Sequence, residues 1–315
     1  MLESLAWIAV ALMGLLATTQ AIGYGTSRIV AIPQSLTPHA LAPALPIAIV
    51  ALATGNFVMA VTAAAIAAAM VALSAPMLRQ RATTAIADTA PRLRIAHSNL
   101  LYTNERESPA GLRTLLDTDP DILVLNEFTL VHQEQLSAVV AGDDYPHRIG
   151  RAEYGPHGIG IWSRYPLADT VVLPSDTRLG LLTTVDVDGL PVRLLAAHPP
   201  PPIERDGLRD WLGGLVHIKE VAGPPSGRTI IIGDFNASRW HPPFRRLLNI
   251  GWRSAHEVVG QRFGGTWPTD RWYLPAFVRI DHVLLGDLVA AETVRDLDIA
   301  GSDHRGVVVS LALLR

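Results

Sequence analysis

The chain of 315 residues contains no cysteine. Disulfide bonds and thiolate chemistry are therefore excluded, and cysteine usage gives no information about the compartment. Charged residues make up only 17% of the chain, and most of this scarcity is local. No Asp, Glu, Lys or Arg occurs from Ser4 to Ser27 or from Ile29 to Leu78, stretches of 24 and 50 residues.

These uncharged stretches are long enough to cross a membrane, because one helical span needs about 20 apolar residues. We predict three spans, at about Leu5–Ile22, Ala40–Thr54 and Phe57–Leu73, with a tight turn at Gly55-Asn56. A secretory signal at residues 1–22 is the weaker interpretation, because its first residues carry no Lys or Arg. A buried soluble helix is also disfavoured, because the Ala-rich stretch is too long for one.

The composition changes beyond this region. Residues 91–315 contain 27 acidic and 23 basic residues, a formal charge of −4, which does not fit a protein that grips nucleic acid by its phosphates. We predict a transmembrane region at 1–78, a polar linker at 79–91 and a soluble domain at 92–315. A fragment that starts near Pro91 is expected to fold and to remain soluble.

Short apolar strands alternate with turns and amphipathic stretches in the soluble part. The predicted strands are Leu93–His97, Ile122–Leu125, Gly158–Trp162, Leu181–Val187, Val192–Ala197, Thr229–Ile232, Ile280–Leu285 and Val307–Leu313. The predicted helices are Ala110–Leu116, Leu130–Val140 and Arg205–Val221. Some strands are joined by hairpins and others by helices, which favours an α/β sandwich over a simple Rossmann sheet.

The stretch TIIIGDFNAS shows how one of these strands ends. Thr229–Ile232 has the β-branched composition of a strand buried on both faces. Gly233 allows the backbone to turn or to approach another group closely. If the chain stays extended, Asp234 and Asn236 point to the same side. A carboxylate and an amide at the end of a buried strand are costly unless something binds there.

Polar residues also stand at the ends of five other predicted strands. They are of the types that handle metals or phosphates: Asn99, Asn126 with Glu127, His198, Asp281 with His282, and Ser302 with Asp303 and His304. A single residue of this kind is usually a cap or a turn residue. Six such strand ends in one chain are difficult to explain without a shared site.

The order of these motifs resembles the endonuclease/exonuclease/phosphatase superfamily. GDFN, followed later by SDH before a terminal strand, carries the resemblance, and GIGIWSRYPL and GTWP…RIDHVLL match the supporting segments. The resemblance covers about residues 92–315. One departure is that Asn126 precedes Glu127, where the family usually has Gln. The resemblance implies a two-sheet, four-layer α/β sandwich and a phosphoric ester hydrolase that depends on a divalent metal.

The resemblance also implies a metal site. Glu127 is the first-choice ligand for Mg²⁺, which binds few carboxylates and retains several waters. Asn99 and Asp303 would complete or support this site. Mn²⁺ is the alternative ion.

The remaining family positions would act on the phosphate and on the attacking water. Asp234 would orient or deprotonate the water, and Asn236 would donate to a phosphate oxygen. His304 and His198 would donate to the phosphate as charge develops, with Asp281 fixing the His304 tautomer. The choice of general base between Asp234 and His304 stays open. A structural role is expected for His282 and for His97.

We therefore predict a membrane-anchored metal-dependent phosphoesterase. Its partners would be a phosphate-ester substrate, in the form of a lipid-linked or small phosphate, and the lipid bilayer. Nucleic acid is not favoured as a substrate. The alternatives are a metal-dependent nuclease and a non-catalytic binding module that retains the fold.

Two arguments disagree about the side of the membrane on which the domain lies. With three spans, a cytoplasmic domain would place Arg28 and four arginines between residues 79 and 94 on the inner side, as the positive-inside rule favours. The three-span amino terminus also resembles that of membrane-anchored bacterial members of this superfamily, which favours the extracytoplasmic side. We expect the extracytoplasmic side, because a catalytic domain needs little anchoring to find cytoplasmic substrates.

Overall fold

A computed structural model describes residues 2–78, 86–173, 180–203 and 207–315. The chain divides into two compact units. The first contains residues 1–80 together with 239–245, and the second contains residues 81–238 and 246–315. Seven residues from within the predicted soluble domain therefore belong to the first unit. Residues 79–85 of the predicted linker lie outside the described residues.

The first unit is built of helices. They are α1 (Leu2–Ala21), α2 (Arg28–Ser35), α3 (Thr37–Leu41), α4 (Ala44–Ala53) and α5 (Phe57–Leu78). Small and apolar side chains of α1, α4 and α5 form its core, while large apolar side chains such as Ile8 and Val61 are exposed. Within the described ranges, α1 and α5 are long and apolar enough to cross a membrane.

The second predicted span, Ala40–Thr54, does not form one long helix. It contains α4, which has 10 residues and is about 15 Å long, half of the roughly 30 Å of a bilayer core. Pro38 and Pro43 stand at the start of α3 and α4 and set the helix boundaries. Residues 28–35 and 37–53 form a pair bent by 79°, which would make a third span only if it crosses as one broken element.

The segment 239–245 is held in the helical unit by hydrogen bonds. Gln20 Nε2 donates to the carbonyl of Trp240 (2.8 Å), and Arg245 Nη2 donates to the carbonyl of Gln20 (3.0 Å). His241 Nε2 donates to the carbonyl of Ala31 (2.9 Å). The residues that follow GDFN in sequence are therefore bonded to α1 and α2.

The described part of the second unit contains twelve strands and further helices. The strands are β1 (Arg92–Asn99), β2 (Ile122–Asn126), β3 (His147–Arg151), β4 (Ile159–Ser163), β5 (Leu167–Val172), β6 (Gly180–Val187), β7 (Leu190–Ala197), β8 (Thr229–Asp234), β9 (Arg253–Ser254), β10 (Asp281–Leu285), β11 (Val289–Asp298) and β12 (Arg305–Leu313). The helices are α6 (Ser108–Leu116), α7 (Leu130–Val139), α8 (Gly207–Ala222), α9 (Pro242–Asn249, which begins in the first unit) and α10 (Ala255–Val258).

These strands form two six-stranded mixed sheets. The orders are β11-β12-β1-β2-β4-β3 and β5-β6-β7-β8-β10-β9. The eight strands predicted from sequence are present. The four that were missed, β3, β5, β9 and β11, are the edge strands of the two sheets. Edge strands are half exposed and lack a continuous apolar pattern, so sequence periodicity indicates them poorly.

The two sheets face each other across a shared core. Ile95 and Val309 of the first sheet belong to the same buried cluster as Ile230 and Val283 of the second. Helices α6 and α7 cover the outer face of the first sheet, in the buried cluster that contains Leu112 and Leu136. Arg193 of β7, in the second sheet, donates to the carbonyls of Val221 and Ala222 at the end of α8. The predicted two-sheet α/β sandwich is confirmed.

Strand direction explains why the polar strand ends meet. Strands β1 and β2 are parallel, as are β7 and β8, while β10 and β12 run antiparallel to their neighbours β8 and β1. The carboxyl ends of β1, β2, β7 and β8 therefore lie at the same edge as the amino ends of β10 and β12. In the register of β8 and β10, Asp234 is paired with Asp281.

Candidate active site

All eight predicted site residues lie at this edge of the two sheets. Each stands at or next to a strand terminus: Asn99 on β1, Glu127 after β2, His198 after β7, Asp234 on β8 with Asn236 beyond it, Asp281 on β10, and Asp303 and His304 before β12. Their contacts, described below, join the two sheets.

Asp234 is the centre of the cluster and is almost fully buried. Its Oδ2 accepts a hydrogen bond from Asn99 Nδ2 (3.1 Å) and lies 3.7 Å from His198 Nε2 and 3.8 Å from His304 Nε2. Its Oδ1 accepts from the backbone N–H of Asn236 (2.7 Å). One carboxylate oxygen is therefore surrounded by an amide and two imidazoles, an arrangement suited to handling a proton.

Gly233 allows this arrangement by its lack of a side chain. Its φ is 151°, and a Cβ at this position would lie 1.9 Å from the carbonyl oxygen of Ala197. The close approach of β7 and β8 brings His198, the next residue after Ala197, to Asp234. The chain does not stay extended beyond Asp234, since Asn236 has a φ of 47°. The turn instead places the Asn236 N–H on Asp234, and the Asn236 amide donates to the carbonyl of Pro199 (3.0 Å).

Charges in this buried site shift several pKa values. Burial, opposed by His304, raises the pKa of Asp234 to about 7. Burial alone would lower the pKa of His304, but the carboxylates of Asp281 and Asp234 raise it to about 10. At neutral pH, His304 is therefore a proton donor, while Asp234 exchanges a proton in the working range of a general base.

Asp281 fixes the orientation of the His304 ring through Nδ1. Its Oδ2 accepts from His304 Nδ1 (2.9 Å) and its Oδ1 accepts from His97 Nε2 (3.0 Å). Burial would raise the pKa of Asp281, but the charges and hydrogen bonds of His304 and His97 hold it well below its ordinary range. The backbone N–H of Asp281 donates to Thr266 Oγ1 (3.2 Å).

Glu127 lies beside Asp234 and shares a donor with it. Asn99 Nδ2 donates to Glu127 Oε1 (3.0 Å), and the backbone N–H of Tyr102 donates to Oε2 (2.9 Å). Burial raises the pKa of Glu127, and the Asp303 carboxylate raises it further. Glu127 has a φ of 54°, a strained conformation for this residue type that is typical of functional positions.

This donor set fits a divalent cation. Glu127 and Asp303 repel each other, and only hydrogen bonds and the charge of His304 oppose the cost of burying Glu127. A cation beside them would remove that repulsion, and carboxylate and amide oxygens are ligands that Mg²⁺ accepts.

A second group of possible ligands, Asp234, Asp281 and His304, has ligand atoms within 4.8 Å of one another. Both oxygens of Asp281 already accept hydrogen bonds from histidine rings. The oxygens of Asp281 are therefore less open to an ion than those of Glu127.

Comparison with known proteins decides the family. The model of the endonuclease/exonuclease/phosphatase family matches residues 96–304. The chain belongs to the endonuclease/exonuclease/phosphatase family. Members of this family are hydrolases that act on phosphoester bonds. The comparison with curated proteins gives no significant match.

Solved structures of this family share the fold. An endonuclease/exonuclease/phosphatase from Beutenbergia cavernae aligns with a TM-score of 0.56 at 19% identity, covering 71% of this chain and 72% of that one. A 3′ phosphatase from Neisseria, bound to a product DNA hairpin, gives 0.51 at 21% identity, with coverages of 69% and 98%. An AP endonuclease from Archaeoglobus fulgidus gives 0.52 at 16% identity, with coverages of 69% and 98%.

Three further residues of this family member support the site. His97, expected to be structural, bonds Asp281. Trp267 Nε1 donates to Asp303 Oδ2 (3.0 Å). Ser302 Oγ donates to the carbonyl of Asn99 (2.7 Å) and accepts from the backbone N–H of His304 (3.0 Å). His97 and Asn99 are two residues apart on β1, so strand alternation was the one signal that could have linked His97 to the site.

The Asn126 that departs from the family pattern also has a defined contact. Its Oδ1 accepts from the backbone N–H of Asp234 (2.9 Å), joining β2 to β8. A neutral amide at this position therefore holds the two sheets together under the site.

His282 points away from this cluster. Its Nε2 donates to the carbonyl of Ala237 (2.8 Å), and its ring meets Phe235 edge-on. Burial lowers its pKa to about 3. These contacts agree with the structural role expected from sequence.

The low pKa of His282 predicts acid sensitivity of the fold. Between about pH 6.5 and pH 3 the unfolded chain would bind a proton at His282 that the folded chain does not, so stability falls as pH falls, by up to about 1.4 kcal/mol per pH unit. His282→Gln keeps an amide N–H for Ala237 and removes this titration. Thermal unfolding between pH 4.5 and 7.5 should show a steeper acid loss for the wild type. Parallel curves for the two proteins would contradict the assignment.

Proposed function

We propose that this chain is a membrane-anchored, divalent-metal-dependent phosphoesterase that hydrolyses a phosphomonoester or phosphodiester, with a lipid-linked or small phosphate as substrate. The observation that carries the proposal is Asp234 Oδ2, buried and surrounded by Asn99, His198 and His304. A carboxylate with a raised pKa beside hydrogen-bond donors is what hydrolysis of a phosphate ester requires.

In this proposal Asp234 is the general base. Its pKa of about 7 allows it to take a proton from the attacking water near neutral pH. The backbone N–H of Asn236 and the amide of Asn99 fix the two carboxylate oxygens, so the carboxylate keeps one orientation. His304 is the weaker candidate for the base, because Asp281 and Asp234 keep it protonated.

His304 and His198 would donate hydrogen bonds to the phosphoryl oxygens. Asp281 holds the His304 ring through Nδ1, so Nε2 is the nitrogen that faces the site. His198 Nε2 lies between Asp234 and Glu127, at 3.7 Å and 4.0 Å. Asn236 uses one amide hydrogen on Pro199, and its second is assigned to a phosphate oxygen.

Glu127 would hold the divalent cation, with Asn99 and Asp303 completing or supporting the site. When bound, Mg²⁺ or Mn²⁺ supplies charge neutralisation for the phosphoryl oxygens. The raised pKa of Glu127 and its repulsion by Asp303 support this assignment.

A substrate panel tests the reaction class. Purified full-length protein with Mg²⁺ is offered polyprenyl phosphates, phospholipids, sugar phosphates and plasmid DNA, with Asp234→Asn as the control for contaminating activity. We expect lipid-linked or small phosphates to be hydrolysed faster than DNA, because the domain is acidic. Fastest cleavage of DNA would identify a nuclease, and no hydrolysis of any substrate would support a binding module.

The membrane part of the proposal concerns residues 1–78 as the anchor, 79–91 as a linker and 92–315 as the catalytic domain. The apolar helices α1 and α5 support membrane insertion. We place the catalytic domain on the extracytoplasmic side, where envelope phosphates are available.

This placement predicts labelling from outside the cell. The chain has no cysteine, so Ala141→Cys in the exposed turn after α7 introduces a single thiol. A membrane-impermeant maleimide should label it in intact cells. Labelling that appears only after lysis would place the domain in the cytoplasm.

A further inference from the structure

His97 is a buried histidine that the proposed reaction does not use. Its ring is fully buried, Nε2 donates to Asp281 Oδ1 (3.0 Å), and Nδ1 lies 3.0 Å from the carbonyl oxygen of Val124. Val124 is on β2, next to β1, whereas Asp281 is on β10 of the other sheet. The ring is therefore fixed by one sheet and reaches across to the carboxylate of the other.

The Asp281 side chain has two hydrogen-bond partners among the described residues, and both are histidines. His97 holds Oδ1 and His304 holds Oδ2. A carboxylate with one donor on each oxygen has a fixed rotation about its Cβ–Cγ bond. Without the first donor, a fully buried oxygen would have no partner, which is costly, and the carboxylate could rotate away from His304.

We propose that His97 is a positioning residue of this site, which fixes the Asp281 carboxylate and through it the ring of His304. The proposal rests on the proposed function for its effect on turnover. His97 lies behind Asp281 and does not reach the substrate side, so its loss should lower kcat and leave substrate binding little changed. Partners that orient a site residue in this way typically contribute about 10- to 100-fold.

The comparison of His97→Leu with His97→Gln tests this role. Leucine removes the hydrogen bond, whereas glutamine can present an amide N–H to Asp281 from nearly the same place. We expect His97→Leu to lower kcat by about 10- to 100-fold with KM little changed, and His97→Gln to restore most of the rate. Equal rates for the leucine variant and the wild type would overturn the proposal.

A matched control separates positioning from loss of stability. His256 is also a buried histidine that donates to a carboxylate at 2.9 Å, and its partner, Asp296, is not one of the proposed site residues. His256→Leu should lower the unfolding temperature to a similar extent as His97→Leu but leave kcat unchanged. A similar kcat loss in both variants would mean that His97 acts through stability alone.

Crystal structures of the two His97 variants provide a readout that does not need activity. The Asp281 to His304 hydrogen bond, 2.9 Å here, should persist in His97→Gln and be broken in His97→Leu. Its persistence in both variants would overturn the positioning role even if the wild type hydrolyses nothing. A broken bond together with an inactive wild type would retain the positioning role and reject the proposed reaction.

Discussion

Asp234→Asn is expected to lower turnover by about two to four orders of magnitude, the usual scale for a lost acid–base or charge-stabilising group. Asparagine retains the size of the side chain but cannot take a proton from water. Because burial raises the pKa of Asp234, its charge opposes folding, so the variant should unfold at the same or a higher temperature. The measurement is kcat with the preferred substrate, together with thermal unfolding of the same preparations.

His304→Ala should give a loss of similar size, because it removes the proton donor that faces Asp234. The control is His282→Ala, which lies 22 residues earlier and whose described ring contacts, with the Ala237 carbonyl and with Phe235, lie outside the cluster. We expect the control to lose stability but little turnover per folded molecule. If His282→Ala proved as inactive as His304→Ala, the assignment of the two histidines would be wrong.

Removal of divalent cations is expected to abolish hydrolysis. The site contains the carboxylates of Glu127, Asp234, Asp281 and Asp303, and protonated histidine compensates them only in part. A phosphate ester would add further negative charge, so the reaction needs a cation that the chain itself does not supply. Activity should disappear with EDTA and return with Mg²⁺ or Mn²⁺. Full activity in EDTA would reject the metal-dependent mechanism.

Glu127→Gln locates the cation. The substitution removes one negative charge and almost no volume, so the fold should remain intact while the metal concentration needed for activity rises. A ligand that binds only the folded state raises the unfolding temperature. Mg²⁺ should therefore stabilise the wild type and stabilise Glu127→Gln less. Equal stabilisation of both proteins would place the cation elsewhere.

The sequence predicted the interior of the sandwich better than its edges. Runs such as Ile122–Leu125 and Thr229–Ile232 are apolar because both faces are covered, and such runs identify central strands directly. Edge strand β5 is mostly exposed and β11 carries charged residues along its length. These edge strands form because they pair with a neighbouring strand, and local composition does not indicate that pairing.

The same difference separates the predicted site residues from His97, for which the sequence indicated only a structural role. Asp234 and Glu127 stand where an apolar run stops, so the chain itself marks them. His97 lies within a strand, and its partner Asp281 is 184 residues away in sequence. No local pattern reports a contact of that kind, and alternation along β1 indicates only which face His97 shares with Asn99.

The helical region shows the limit of a hydropathy argument. The absence of charge from Ile29 to Leu78 predicts apolar surroundings, but Pro38 and Pro43 decide where helices begin within the stretch. A span counted from apolar length alone therefore gave Ala40–Thr54, whereas the backbone forms α3 and α4 instead. The positive-inside argument depends on this count. With three spans, the two ends of the membrane region lie on opposite sides of the membrane, whereas with two spans they lie on the same side.

The bonding of segment 239–245 to the helices bears on how the enzyme could be produced and shortened. A fragment that begins at Pro91 would retain Trp240 and Arg245 but would lose Gln20 and Ala31, to which this segment is bonded. Trp240 and its neighbours would then be left without these partners only a few residues after Asp234. The expectation that a fragment starting near Pro91 folds and remains soluble therefore requires segment 239–245 to keep its structure without these partners, and aggregation of every such fragment would contradict it.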